Sequence, residues 1–320
     1  MIDRRKVLLV LLAASAPAVA QNRRLRIGWL VFGGSALGPV DKALQDALVE
    51  RGLIDGRTID VMYRYADGNP ARLPELAKQL VAEKPDLIIA MGGDVMKALF
   101  DASGGGVPVV GGISDNPVRA GIAVSLARPG KNFTGVTFIT DEMAAKRMEL
   151  LKEVAPATTR VSVIWNPQHF DDEMVFARRA AESLGIGLNL HPLSSLGDLD
   201  AVLRDVGDKG ADSIFIIPSR LTNIAADKIA LYARERRLPV MAAWREFVDS
   251  GALLSYGPSR IFEARRLVGY IEKIRAGEKP ANIPIEQPVK FELVVNLRTA
   301  KAIGLKIPES FLLRADEVIE

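Results

Sequence analysis

Short apolar runs rich in β-branched residues alternate along the chain with segments whose apolar residues recur every three or four positions. The first run, residues 26–32, predicts a buried strand. The next segment, residues 39–51, predicts a helix, and Gly52 follows as a typical end signal. One face of this helix carries Val40, Ala43, Leu44, Ala47 and Leu48. Strand, loop and helix in this order predict βαβ units around a parallel sheet.

The same alternation starts again in the second half of the chain. Residues 160–165, 213–217 and 239–243 predict strands, with helical segments between them. Two consecutive Rossmann-like units predict an α/β protein with two doubly wound, parallel-sheet lobes. Ligands of such sheets bind beyond the carboxyl ends of the strands. If the two lobes face each other, these ends line one shared cleft.

The N-terminus has the pattern of a secretory signal peptide. A charged start, residues 3–6, precedes the apolar run Val7 to Ala14, and Ala18 and Ala20 provide the small residues that a signal peptidase reads. A membrane anchor is disfavoured because a spanning helix needs roughly 20 apolar residues. We therefore expect residues 1–20 to be removed after Ala20 and the protein to be exported to the periplasm.

Composition narrows the function further. The chain has no cysteine, which excludes disulfides, thiol catalysis and cysteine metal sites. The formal net charge is +3, and residues 3–6 contribute +2 of it, so +1 remains after removal of the signal peptide. No block of basic residues resembles a nucleic-acid-binding stripe. Neither a nucleic-acid partner nor a cofactor is expected.

The candidate ligand-binding residues are those that follow the predicted strands. In the first half they are Phe32, Gly33, Gly34, Ser35, Gly92, Gly93, Asp94, Ser114 and Asp115. In the second half they are Trp165, Asn166, Ser219, Arg220, Trp244, Arg245, Glu246 and Tyr256.

Each group of candidates has a chemical rationale and an ordinary structural alternative. The glycine loops let a ligand approach the backbone or are simply tight turns, and they match no dinucleotide or P-loop pattern. Ser114 and Asp115 suit an amine or a carboxylate, or cap a turn. The aromatic residues stack on a planar ligand or cap a lobe core. The two arginines bind a carboxylate or pair at the surface, and Asp94 and Glu246 are candidates for an ammonium group.

Catalysis finds little support in the sequence. The two histidines, His169 and His191, have no catalytic or metal-binding neighbours at recognisable spacing, and no serine lies in a G-x-S-x-G pattern. The acidic residues at 171–173 complement a helix dipole. We expect a binding protein and not an enzyme.

Three segments carry a family resemblance: residues 108–137, 244–259 and 283–320. They resemble the ABC transporter substrate-binding family that includes tryptophan- and tyrosine-binding lipoproteins. The resemblance extends over essentially the whole chain after residue 20. Its most specific parts are Leu126–Gly130 and Ser255–Pro258.

The resemblance implies a type I periplasmic-binding-protein fold with a three-strand hinge, whose strands we place near residues 136–142, 253–259 and 285–290. Residues 21–138 and 257–320 then form lobe 1, with residues 139–256 as lobe 2. This chain lacks the cysteine that carries the lipid in lipoprotein members. We therefore expect a soluble monomer that is free in the periplasm.

The resemblance also implies a function, which is to trap a small molecule by hinge closure and deliver it to an ABC permease in the inner membrane. The aromatic and arginine candidates favour an amino acid or an aromatic or small aliphatic carboxylate. A sensor that reports to a membrane receptor remains an alternative, as does, with less support, an exported α/β enzyme. A LacI-type repressor shares the fold, but no helix-turn-helix precedes residue 26 and the signal peptide contradicts it.

Overall fold

The computed structural model describes residues 23–138 and 141–320. The predicted signal peptide, with its cleavage after Ala20, lies outside the described residues. The strands of the described part are β1 (Leu25–Val31), β2 (Ile59–Tyr65), β3 (Leu87–Met91), β4 (Val109–Ile113), β5 (Phe133–Thr137), β6 (Arg160–Trp165), β7 (Gly187–Pro192), β8 (Ser213–Ile216), β9 (Val240–Ala242), β10 (Leu254–Pro258), β11 (Phe291–Asn296) and β12 (Glu317–Ile319). Its helices are α1 (Pro39–Glu50), α2 (Leu73–Ala82), α3 (Gly93–Ser103), α4 (Met143–Val154), α5 (Glu173–Ser183), α6 (Leu199–Asp208), α7 (Arg220–Ile224), α8 (Ala226–Glu235), α9 (Arg245–Asp249), α10 (Arg260–Arg275), α11 (Leu297–Ile303) and α12 (Glu309–Leu312).

Lobe 1 is built on an all-parallel sheet with the strand order β2-β1-β3-β4-β5. Helices α1 and α10 contribute to the core on one face, and α2 and α3 to the core on the other. Cover on both faces explains why the central strands have nearly continuous apolar sequences. The strand order reverses between β1 and β3, and a binding crevice is expected at this switch point.

Lobe 2 is built on a seven-stranded sheet with the order β12-β11-β10-β9-β8-β6-β7. Strand β11 runs antiparallel to β10, and the other neighbouring strands are parallel. Helices α4, α5, α11 and α12 contribute to the core on one face, whereas α6, α8 and α9 contribute to the core on the other. The predicted fold class, two doubly wound α/β lobes, is confirmed.

The chain passes between the lobes three times. The first passage leads from β5 towards α4, the second from β10 to α10, and the third into β11. Before the third passage the chain runs beside β5, where the Thr137 N–H donates to the Glu286 carbonyl (2.8 Å) and the Glu286 N–H donates to the Gly135 carbonyl (2.9 Å). The passages are therefore held next to each other by backbone hydrogen bonds.

The C-terminal part of the chain differs from the predicted division, which assigned residues 257–320 to lobe 1. Helix α10 does lie on the first sheet, but residues 291–320 belong to lobe 2. Strand β11 pairs with β10, and Phe311 is fully buried in the lobe 2 core. The apolar pattern of β11 specifies a strand, but its sheet is decided by long-range pairing that the pattern does not contain.

Candidate functional site

The carboxyl ends of the two sheets meet across a cavity of about 200 Å³ between the lobes. Lobe 1 lines it with the loops after β1, β3 and β4 and the start of α1. Lobe 2 lines it with the loops after β8 and β9. The lining residues are Leu30, Phe32, Gly33, Gly38, Pro39, Val40, Asp41, Met91, Gly92, Gly112, Ser114, Phe138, Arg220, Asn223, Trp244, Glu246 and Arg260. We call this space the inter-lobe cavity.

Seven residues predicted from the strand-end rule line the inter-lobe cavity. They are Phe32, Gly33, Gly92, Ser114, Arg220, Trp244 and Glu246. Each of them follows a strand that is flanked by partners on both sides, so that its end lies near the centre of the sheet edge.

The walls of the inter-lobe cavity combine aromatic rings with a partly buried arginine. Trp244 is 3% exposed, and Phe32 and Phe138 line the cavity from lobe 1. The Arg260 guanidinium lies 4.3 Å from the Trp244 ring centroid and 5.5 Å from that of Phe138, within cation–π range. Its Nη1 donates to Glu246 Oε1 over 2.8 Å. The cavity can therefore hold an apolar or planar group beside fixed charges.

Asp41 adds an acidic group that the sequence analysis missed. It lies in the first turn of α1, immediately after the switch-point loop. Burial raises the pKa of the Asp41 carboxyl, although the charges of Arg260 and Arg220 act in the opposite direction. A cationic group of a ligand placed beside Asp41 would favour the ionised carboxylate.

Three polar atoms of cavity-lining residues are buried and have no hydrogen-bond partner among the described residues: Trp244 Nε1, Arg260 Nε and Asn223 Oδ1. Buried polar groups normally have partners, because leaving one unpaired costs about 1–3 kcal/mol. Two of these atoms are donors and one is an acceptor. A ligand with both an acceptor group and a donor group would satisfy them.

Arg220 extends from lobe 2 into lobe 1. Its Nε donates to Asp94 Oδ1 over 2.8 Å, and its Nη2 donates to the Met91 carbonyl over 2.6 Å. The guanidinium also lies 4.1 Å from the Phe32 ring centroid. We call this set of interactions the Arg220 contact. Arg220 and Asp94, each predicted as a ligand-binding residue, are thus paired with each other.

His169 forms a second contact between the lobes. Its Nε2 lies 3.0 Å from Ser114 Oγ and 3.7 Å from Asp115 Oδ2. The neighbouring Phe170 N–H donates to Asp115 Oδ1 (3.1 Å), and the Phe170 carbonyl accepts from the Asn116 N–H (2.7 Å). We call these interactions the His169 contact. The sequence analysis gave His169 no role.

The charge state of His169 depends on its acidic neighbours. Burial of the ring disfavours protonation, but the hydrogen bond with Asp171 and the charges of Asp115, Asp171 and Glu173 outweigh this effect, so the pKa of His169 is raised above 6.5. The side chain of His169 is 8% exposed, and its Nδ1 lies 2.5 Å from Asp171 Oδ2. This contact therefore titrates at a pH above that of a free imidazole.

The other predicted residues lie outside the cavity lining. Arg245 pairs with Glu317 and Asp249 within lobe 2. Tyr256 and Trp165 pack against the lobe 2 core. Ser219 caps α7, and Asn166 Oδ1 accepts from the Gln168 N–H. Gly34, Ser35 and Gly93 belong to the loops and the helix start next to lining residues.

Other features of the described residues are weaker candidates for a functional site than the inter-lobe cavity. A larger groove of about 430 Å³ lies on the outside of lobe 1, between α1 and α10, away from the strand ends. Within residues 23–138 and 141–320, no cluster of histidine and acidic residues could hold a metal ion. Over the same residues, no helix has the length and apolarity needed to span a membrane.

Two doubly wound α/β lobes, three crossings and a cavity between the strand ends are the features of the type I periplasmic-binding-protein fold. Comparison with known families agrees: the profile described as "ABC transporter substrate binding protein" matches residues 30–319. The chain belongs to this ABC transporter substrate-binding protein family. It is thus a member of a family of binding proteins and not of enzymes, and its family is typically extracytoplasmic.

Individual relatives agree with this assignment. A tyrosine-binding protein of Clostridioides difficile (strain R20291) is 22% identical over 274 residues, covering 85% of this chain and 78% of the relative. A Streptococcus pneumoniae ABC domain in complex with L-Trp superimposes with a TM-score of 0.84 at 23% identity, covering 93% of this chain and all of that domain. A conserved domain protein of Vibrio cholerae superimposes with a TM-score of 0.83 at 25% identity, covering 92% and 100% of the two chains.

Proposed function

We propose that this chain is the periplasmic substrate-binding component of an ABC importer and that it closes its two lobes on a small amino acid. The observation that carries the proposal is the inter-lobe cavity with its unpartnered buried polar atoms, Trp244 Nε1, Arg260 Nε and Asn223 Oδ1. Buried polar groups normally have hydrogen-bond partners, and a ligand in the cavity would supply them for all three atoms.

The chemistry of the lining favours a zwitterion. A ligand carboxylate accepts from Trp244 Nε1 and Arg260, while its ammonium group donates to Asn223 Oδ1 and lies near Asp41. Phe32 and Phe138 offer apolar surface to the ligand's side chain. At about 200 Å³ the closed cavity is smaller than the 300–1,000 Å³ typical of sites for drug-sized ligands, so the ligand is small. The tyrosine-binding relative and the neighbour solved with L-Trp support an amino acid.

Hinge closure is the proposed mechanism. Ligand contacts made with both lobes stabilise the closed form relative to the open one. The closed form then docks on an inner-membrane permease. The predicted signal peptide supports a periplasmic location. A sensor would use the same cavity and closure, and uptake of a labelled ligand by a strain lacking this chain separates the two roles: an importer component is required for uptake, whereas a sensor is required for the response alone.

A ligand screen tests the proposal. Residues 21–320 are purified and screened by thermal shift against L-tyrosine, L-tryptophan, the remaining amino acids and aromatic or short aliphatic carboxylates. A ligand held at 100 times its dissociation constant stabilises the protein by about 2.7 kcal/mol. Stabilisation by no amino acid, or turnover of any compound, would contradict the proposed function.

Two conservative variants locate the ligand. Trp244→Phe keeps an aromatic ring but removes the N–H, and we expect roughly fivefold weaker binding. Trp165→Phe is the matched control, because it removes an equally buried, unpartnered indole N–H outside the cavity lining. Asp41→Asn should weaken ligands that carry an ammonium group by about tenfold or more and leave simple carboxylates unaffected. Asp227→Asn, which also lies in the first turn of a helix but outside the cavity lining, is its control.

A further inference from the structure

The groups that surround the Arg220 guanidinium are complementary to its charge, its N–H donors and its flat shape. Asp94 supplies a carboxylate, the Met91 carbonyl accepts a second N–H, and Phe32 offers a flat aromatic face. These three groups meet the charge, the directional donors and the planar surface of a guanidinium. All three belong to lobe 1, whereas Arg220 belongs to lobe 2.

Gly92 leaves the space that the guanidinium occupies. A Cβ atom at position 92 would lie 1.9 Å from Arg220 Nη2, which is far inside van der Waals contact. The backbone of Gly92 has φ of +103°, a conformation that side chains strongly disfavour. Both facts allow only glycine here while Arg220 is in place.

The lobe 2 side of this contact is equally well defined. Arg220 is the first residue of α7, and Ser219 and Thr222 form a capping box directly around it. The Ser219 N–H donates to Thr222 Oγ1 (2.9 Å), and the Thr222 N–H donates to Ser219 Oγ (3.2 Å). This turn fixes the direction in which the Arg220 side chain leaves lobe 2. On closure the side chain therefore loses mainly its rotamer entropy, and little backbone entropy.

We propose that Arg220 is a specificity-determining clasp: it locks lobe 2 onto lobe 1 without help from a ligand and forms one wall of the inter-lobe cavity. The closed form is therefore populated before ligand binds. The Arg220 guanidinium lies over the Phe32 ring and takes up part of the inter-lobe cavity. The protein therefore accepts only those ligands that fit the space left beside it. The clasp is independent of which small molecule is bound, whereas its effect on ligand size rests on the proposed function.

Distance measurements between the lobes of the ligand-free protein test the clasp. The chain has no cysteine, so Lys97→Cys in lobe 1 and Lys228→Cys in lobe 2 give a clean pair of exposed labelling positions for pulsed electron paramagnetic resonance. We expect a short-distance, closed population in the otherwise unaltered protein. Arg220→Ala should lower the closed-to-open ratio about tenfold, as expected for losing hydrogen bonds to a charged group.

Three further variants make the test specific. Arg220→Lys keeps the charge but loses the planar fork and should restore only part of the closed population. In an Asp94→Asn background, Arg220→Ala should have a smaller effect than in the parent protein, since the two residues act together. Arg245→Ala removes an arginine that is paired inside lobe 2 and should leave the distances unchanged.

The results also separate the clasp from the proposed ligand. An open ligand-free protein, or an unchanged closed-to-open ratio in Arg220→Ala, overturns the clasp whether or not an amino acid binds. If instead the clasp is confirmed and no amino acid stabilises the protein, the proposed function fails and the clasp stands. Once an amino acid is known to bind, Arg220→Ala should raise the affinity for L-tryptophan relative to that for L-alanine, because the variant enlarges the cavity.

Discussion

The Arg220 contact and the His169 contact both join the lobes but are built from different chemistry. The Arg220 contact uses a side chain that stays charged at every physiological pH, and Arg220 is 28% exposed. The His169 contact uses a titratable ring that is 8% exposed and adds a pair of hydrogen bonds from the Phe170 backbone. Of these two contacts only the second contains a histidine, whose charge changes near neutral pH. The Arg260–Glu246 ion pair adds a third link between the lobes.

A side chain at position 92, beside the Arg220 guanidinium, should have the largest effect on lobe closure and stability. Gly92→Ala places a methyl group on the guanidinium and forces a side chain into a positive-φ conformation. We expect displacement of Arg220, a more open ligand-free protein and a loss of about 1–3 kcal/mol in unfolding free energy. Inter-lobe distances and thermal unfolding measure the two effects. Gly33→Ala is the control, since a Cβ there meets nothing within 4 Å.

Acid should strengthen the His169 contact. The pKa of His169 is raised in the folded protein, so its stabilising effect is fully present below pH 6.5 and is lost as the pH rises through the raised value. Asp171 belongs to lobe 2, as His169 does, so the attraction between these two residues does not depend on closure. The attraction that crosses the cleft is the one between His169 and Asp115 of lobe 1. We expect the closed-to-open ratio to fall roughly fivefold from the acidic to the basic side of this transition.

His169→Gln tests the assignment of that titration. Glutamine can keep a hydrogen bond to Ser114 but carries no charge, so the ratio should become independent of pH. A pH dependence that survives in His169→Gln would point to the other charged groups around it, which are Asp115, Asp141, Asp171, Asp172, Glu173 and Arg119.

The Arg119–Asp172 ion pair, which lies next to the His169 contact, should matter least. Arg119 Nη1 lies 2.8 Å from Asp172 Oδ1, and both side chains are about half exposed. Exposed pairs of this kind contribute about 0.2–1 kcal/mol and weaken in salt. Asp172→Asn should therefore lower the closed-to-open ratio less than twofold at high ionic strength. A change as large as that of Arg220→Ala would mean that the two contacts had been ranked wrongly.

The strand-end rule found the parts of the cavity that lie directly behind parallel strands. Phe32, Gly92, Ser114, Arg220 and Trp244 all follow short apolar runs that are easy to recognise. The rule also selected Arg245, which differs from Arg220 only in its partner, and partners are set by tertiary packing. The sequence therefore shows where a cleft forms better than which of its polar residues are free to bind.

The residues that were missed lie on elements where no local pattern marks a binding role. Asp41 sits in the first turn of a helix, where an acid has an ordinary role with the helix dipole. Arg260 begins α10 immediately after a passage between the lobes, and Phe138 precedes another passage. Their side chains reach the cavity only because the hinge brings them there. The same long-range geometry explains why residues 291–320 were assigned to the wrong lobe.

The position of β11 and β12 has a consequence for how the protein is made. Both strands follow the other ten described strands in the chain, and β11 lies beside β10 and extends the second sheet to β12. The five-strand sheet has all of its strands by residue 137, although α10, which covers one of its faces, follows much later. The second sheet is therefore complete only after residues 291–319 have been synthesised, and a chain that stops before residue 291 leaves an unpaired edge on β10 that is open to aggregation.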